Sequence, residues 1–257
     1  MLELKGIHKI YNPGTVNEMC LFDRFDLKVE KGDFISVVGS NGSGKTSMLN
    51  LICGSISAES GQILMNGQDI TKDKEYKRNE KIGRVYQNPA MGTCPSMTIL
   101  ENMSLADNKG RFFGLGRGTD KSRINYYKEQ LIQLNLGLED RMDTKVGALS
   151  GGQRQAMALL MSAMTPIEFL ILDEHTAALD PKTADMIMEL TDKIVREKKL
   201  TTIMVTHNLR YAVEYGNRLL MMHQGEVILD KKREEKKEVH VEDVLKLFNE
   251  ISIECGN

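Results

Sequence analysis

The stretch GSNGSGKTS, residues 39 to 47, stands directly behind the apolar run Phe34, Ile35, Val37 and Val38. Gly39, Gly42 and Gly44 surround Lys45 and the hydroxyls of Ser40, Ser43, Thr46 and Ser47, with Asn41 between them. No bulky apolar side chain interrupts the loop. This order predicts a buried strand, a glycine loop and a helix opening at Lys45. Such a loop turns successive N–H groups inward at a helix N-terminus, where the dipole favours an anion. A lysine here reaches outer phosphates, and the Thr46 hydroxyl suits Mg²⁺. An ordinary Gly/Ser turn needs none of this, so the pattern predicts binding of a nucleoside triphosphate.

Composition narrows the partners. The 257 residues are 41% hydrophobic and 27% charged, enough to bury a sizeable core. Thirty-four basic against 36 acidic residues leave a net charge of −2, which predicts no nucleic-acid partner. Cys20, Cys53, Cys94 and Cys255 form no C-x-x-C pair, which suits a reducing compartment and argues against structural zinc. No signal-peptide core is visible at the N-terminus, and no apolar run approaches the ~18 residues of a membrane span. Any work at a membrane is therefore expected to pass through a partner.

Leu2 and Leu4, then Phe25, Leu27 and Val29, alternate with polar residues and predict an antiparallel sheet. Met48, Leu49, Leu51 and Ile52 predict a helix ending at Gly54, and short strands fit 61–65 and 82–86. From 95 to 158 the texture turns helical: Ile124, Tyr127, Leu131 and Leu134 mark an amphipathic helix ending near Gly137. Strand signals return at 168–173 and 200–206, separated by a helix that Asp180 caps and Pro181 begins. The alternation predicts an α/β chain with a largely parallel, doubly wound sheet. A last amphipathic helix starts at Val241. KKREEKKE, 231 to 238, reads as a solvated linker before it, and Met157, Met161 and Met164 read as core packing. KGRFFGLGRG, 109 to 118, reads as a flexible loop, the alternative being that its basic residues with Phe112 and Phe113 touch lipid or a partner.

Two further motifs carry chemistry. In FLILDE, 169 to 174, an apolar strand delivers carboxylates at its C-terminal end, where α/β sheets place ligand-binding groups. Asp173 suits Mg²⁺, and Glu174 suits deprotonation of a water attacking a γ-phosphate. LSGGQ, 149 to 153, opens an apolar helix with a hydroxyl beside free N–H groups, a second anion-binding helix start.

With these motifs in this order, the chain resembles the ATP-binding subunits of ABC transporters, essentially end to end. The resemblance implies a P-loop α/β fold of ABC type: a mostly parallel core with an N-terminal antiparallel β subdomain (1–94 and 159–257) and a helical signature subdomain (95–158). It implies that Ser150, Gly151, Gly152 and Gln153 bind the ATP held by a second subunit. Tyr11 matches the tyrosine that stacks on adenine, and Gln87 the glutamine that senses Mg²⁺ and contacts the permease. Ala178, Leu179 and Asp180 match the loop joining the two active sites, and His207 the histidine that approaches the γ-phosphate. Two departures stand out: His175 replaces the usual proline after the catalytic glutamate, and ALLMSAM replaces an arginine-bearing run. His175 reads as a surface histidine. The resemblance implies Mg-ATP hydrolysis by a homodimer at the cytoplasmic face of a membrane. Its partners would be permease subunits and an extracytoplasmic solute-binding protein, and the system would import an amino-acid-like solute. The alternative is a non-transport single-cassette ATPase in cofactor assembly.

Overall fold

The computed structural model describes residues 1–110 and 118–254, the side chains of 251–254 excepted. Phe112 and Phe113 lie outside the described residues. The chain forms two compact units, residues 1–79 with 199–257, and residues 80–198.

The first unit opens with β1 (Leu2–Tyr11) and β2 (Met19–Val29), paired antiparallel with Leu2 opposite Val29 and Leu4 opposite Leu27. Phe25, Leu27 and Val29 are buried while Asp26 and Lys28 between them are exposed, the period-two signature read from the sequence. In β3 (Phe34–Gly39) all six residues are buried. It feeds the glycine loop and α1 (Lys45–Cys53), which Gly54 ends in the left-handed region, at φ 81°. β4 (Ser60–Met65) pairs with β1, and the turn Asn66-Gly67, with φ 51° and 79°, returns it to β5 (Gln68–Asp69). From α2 (Glu75–Asn79), the Arg78 guanidinium donates to the carbonyls of Leu51, Ile52 and Thr71, capping the end of α1.

The second unit begins with β6 (Ile82–Val85) and continues through α3 (Ile99–Asp107), α4 (Ile124–Ile132) and α5 (Gly151–Ser162). Next come β7 (Phe169–Asp173), parallel to β6, and α6 (Pro181–Lys198). Ile99, Met103, Tyr127, Leu131, Met157 and Ile187 share one buried cluster. Met157 and Met164 are buried and Met161 packs against them, as core residues. α4 stops at Ile132, short of Gly137; the chain then turns through Asn135 at φ 53°. Asp180 accepts from the Thr183 N–H at 3.1 Å, capping α6 as its sequence predicts.

The chain returns to the first unit with β8 (Thr201–Val205), α7 (Leu209–Glu214), β9 (Arg218–His223) and β10 (Glu226–Lys232), then α8 (Glu234–Lys237) and α9 (Val241–Glu254). β3 lies between β8 and β9 and runs parallel to both; β10 is antiparallel to β9. Residues 231–238 are not a solvated linker. They finish β10 and form α8, and Lys236 is 4% exposed. Its ammonium donates to the carbonyls of Val213, Tyr215 and Gly216 at the C-terminus of α7, and burial pushes its pKa down to about 8. A charge run cannot announce such a cage, because the carbonyls lie on another element.

Gly225 closes the β9–β10 hairpin at φ 82°, and a Cβ there would stand 1.7 Å from the Leu21 carbonyl oxygen. Gly225→Ala therefore meets both strain and overlap, and its expected cost is about 2 kcal/mol in a urea titration.

Candidate nucleotide-binding site

In the first unit the loop residues Gly39, Gly42 and Gly44 have φ of 153°, 78° and 102°. A Cβ on Gly39 would lie 2.2 Å from the Met222 carbonyl oxygen, so glycine is required for β3 and β9 to stay this close. No side chain caps α1, and its ladder begins with the Met48 N–H on the Gly44 carbonyl at 2.8 Å. Glycine at the N-cap brings no capping side chain to this helix start, the kind of start that suits an anion. Lys45 Nζ donates to the carbonyls of Gly39 (2.7 Å) and Ser40 (2.8 Å) and lies 3.4 Å from Ser43 Oγ. The lysine is thereby held curled over its own loop. Tyr11 donates its hydroxyl to Ser47 Oγ at 3.0 Å, which ties the end of β1 to the first turn of α1, and Lys9 Nζ lies 5.4 Å from the Tyr11 ring centroid.

Directly after β8, His207 shares a cavity of about 340 Å³ with Gly39, Ser40 and Asn41. The fold thus brings together loop residues and a histidine 166 or more positions apart in sequence. Phe248 of α9 lines the same cavity and was not foreseen. Its only sequence signal is the amphipathic period of the last helix.

In the second unit β7 ends at Asp173, and Glu174 takes φ 49°, a left-handed conformation uncommon for a residue with a Cβ. Gln87 is exposed just beyond β6, and the Tyr86 carbonyl before it accepts from Gln155 Nε2 at 3.2 Å. Ser150 caps α5 in a reciprocal box: its hydroxyl accepts from the Gln153 N–H and Gln153 Oε1 accepts from the Ser150 N–H. The Gln153 N–H is therefore occupied by the cap, and Gly151 and Gly152 carry the remaining N–H groups of this helix start. Hydrogen bonds from Thr183 hold the Asp180 carboxyl below the usual range.

His175 is not a surface residue. It is 2% exposed, and its Nε2 lies 3.1 Å from Thr191 Oγ1 of α6. The Thr191 hydroxyl spends its one proton on the Ile187 carbonyl at 2.7 Å, so Nε2 must be the donor to Thr191. Burial pushes the imidazole down to about 4, which keeps it neutral. The Glu174 turn is thus pinned to α6 by its neighbour. Arg84 also went unforeseen: its Nη2 donates to Asp173 Oδ2 at 2.8 Å across 89 positions of sequence.

The donors expected to hold Mg²⁺ are the Thr46 hydroxyl, the Gln87 amide oxygen and the Asp173 carboxylate, all hard oxygen ligands that fit this ion. Among the described residues no helix is long and apolar enough to cross a membrane.

A family model described as ABC transporter matches residues 22–177. A tyrosine transport ATP-binding protein of Clostridioides difficile is 47% identical over 248 residues, 96% of this chain and 98% of that one. The methionine import ATP-binding protein MetN 2 of Enterococcus faecalis is 32% identical over 231 residues, 89% of this chain and 64% of its own length. The dimeric, ADP- and Pi-bound ATP-binding cassette MJ0796 superposes with a TM-score of 0.75 at 31% identity, over 90% of this chain and 98% of that one.

Proposed function

The chain belongs to the ABC transporter family as an ATP-binding and ATP-hydrolysing subunit, and from that premise we propose how its residues divide the work. The phosphate loop, Gly39 to Ser47, holds the triphosphate through its N–H groups and Lys45, and Tyr11 stacks on the adenine. Thr46, Asp173 and Gln87 would hold Mg²⁺, which would supply positive charge to offset that developing on the phosphates. Glu174 takes a proton from the water that attacks the γ-phosphorus as the bond to ADP breaks, releasing phosphate. His207 faces the γ-phosphate. The observation that carries this reading is the cavity that Gly39, Ser40 and Asn41 share with His207.

Two copies close head to tail around two nucleotides. The Ser150–Gln153 helix start of each then meets the nucleotide on the other's phosphate loop, and Asp180 lies where the two sites join. Residues 95–158 form the helical signature part, and 1–94 with 159–257 the core. The subunit sits at the cytoplasmic face of the membrane, held by permease subunits through the segment after Gln87. A solute-binding protein delivers an amino-acid-like solute. The relatives named for tyrosine transport and methionine import support that class.

Lys45→Ala is the direct test. Loss of a charge-assisted contact to the outer phosphates is expected to weaken ATP binding by about tenfold or more and to abolish turnover. Unchanged affinity and turnover would reject the phosphate-loop assignment. Tyr11→Ala is expected to cost about 1 kcal/mol of ATP affinity by calorimetry, the worth of an aromatic stack. For the solute, deleting the gene should abolish uptake of one labelled amino acid, and unchanged uptake of all of them would refute the class.

A further inference from the structure

The carboxylate assigned to the metal already carries a cation from its own chain. Arg84 sits on β6 opposite Ile171 of β7, and its guanidinium reaches along the strand pair to Asp173. The two side chains are only 9% and 12% exposed, and the contact is 2.8 Å. On its other side the guanidinium carbon lies 4.6 Å from the Tyr86 ring centroid. Arg84 is therefore bracketed between an aromatic face and a carboxylate, in a site where solvent screens little.

We propose that Arg84 is a resident competitor for Asp173 that prevents Mg²⁺ from binding ahead of nucleotide. This rests on the reading of Asp173 as a metal ligand. A guanidinium and a divalent ion on one buried carboxylate repel each other, and at this burial the repulsion outweighs the benefit of an oriented carboxylate. The metal alone cannot offset that charge. A triphosphate can, because it brings several negative oxygens to the same ion. Metal and nucleotide are thus taken up together, and an arriving metal displaces Arg84 toward Tyr86, the residue that leads into Gln87. The metal's arrival is thereby transmitted to the segment assigned to the permease.

The test measures Mn²⁺ binding to the full chain by electron paramagnetic resonance, with and without a non-hydrolysable ATP analogue. Without nucleotide, Arg84→Met is expected to bind Mn²⁺ about tenfold or more tightly than the wild type, the worth of one charge-assisted contact. Arg84→Gln, which keeps a donor but no charge, should behave likewise if the methionine variant folds poorly. Arg84→Lys, which keeps the charge, should stay with the wild type. With the analogue present the gap should narrow. Equal or weaker Mn²⁺ binding by both neutral variants would overturn the proposal. Asp173→Asn separates the two failures. If it lowers Mn²⁺ affinity in the analogue complex while the Arg84 variants change nothing, only the role of Arg84 falls. If it leaves that affinity unchanged, Asp173 is no ligand and both readings fall.

Discussion

Glu174→Gln is expected to lower ATP turnover by about 10²–10⁴, the usual contribution of a general base. Glutamine keeps the size of the side chain and one acceptor oxygen but cannot take a proton from water. It also suits the left-handed backbone at this position no worse than glutamate does, since both have the same branching at φ 49°. Nucleotide binding should persist. In the proposed two-copy arrangement hydrolysis opens the dimer, so the variant should accumulate as a closed dimer in Mg-ATP. Ser150→Arg should act oppositely, binding ATP on each phosphate loop but blocking closure. Turnover measured as released phosphate and mass by light scattering separate the two. Normal hydrolysis by Glu174→Gln would reject it as the base. A protein that stays monomeric at saturating Mg-ATP, even with its permease, would reject the two-copy arrangement.

Acid should destabilise this protein through His175. Its pKa is lowered from 6.5 to about 4 by burial, so the unfolded chain takes up a proton that the folded one refuses. The resulting stability is fully present above pH 6.5 and is lost as pH falls toward 4. Integrated over that window the loss is about 3 kcal/mol. Urea unfolding at pH 7 and pH 5 reads most of it, and His175→Asn should show a smaller loss over the same interval by about 2 kcal/mol. Equal pH dependence in the two proteins would mean that the imidazole is hydrated and titrates normally in the fold.

The sequence announced the local devices better than the arrangement that supports them. The glycine loop, the strand that delivers Asp173 and Glu174 at its end, and the helix start at Ser150 were legible because each is a local device. A glycine needed at positive φ, a carboxylate at a strand end and a hydroxyl at an N-cap are specified within a few residues. The same holds for Asp180 with Pro181 and for the methionines of α5, whose spacing alone points them inward.

What only tertiary structure decided involves pairs far apart in the chain. Lys236 looked solvated because its neighbours are charged, yet three carbonyls of the α7 terminus hold it. His175 read as a surface histidine, yet α6 buries it against Thr191. Arg84 carried no signal at all, since its partner is 89 positions away. A side chain's spacing fixes which face of an element it occupies. Whether that face meets water, a carbonyl cage or a carboxylate depends on which element is packed there, and local propensity does not encode that choice.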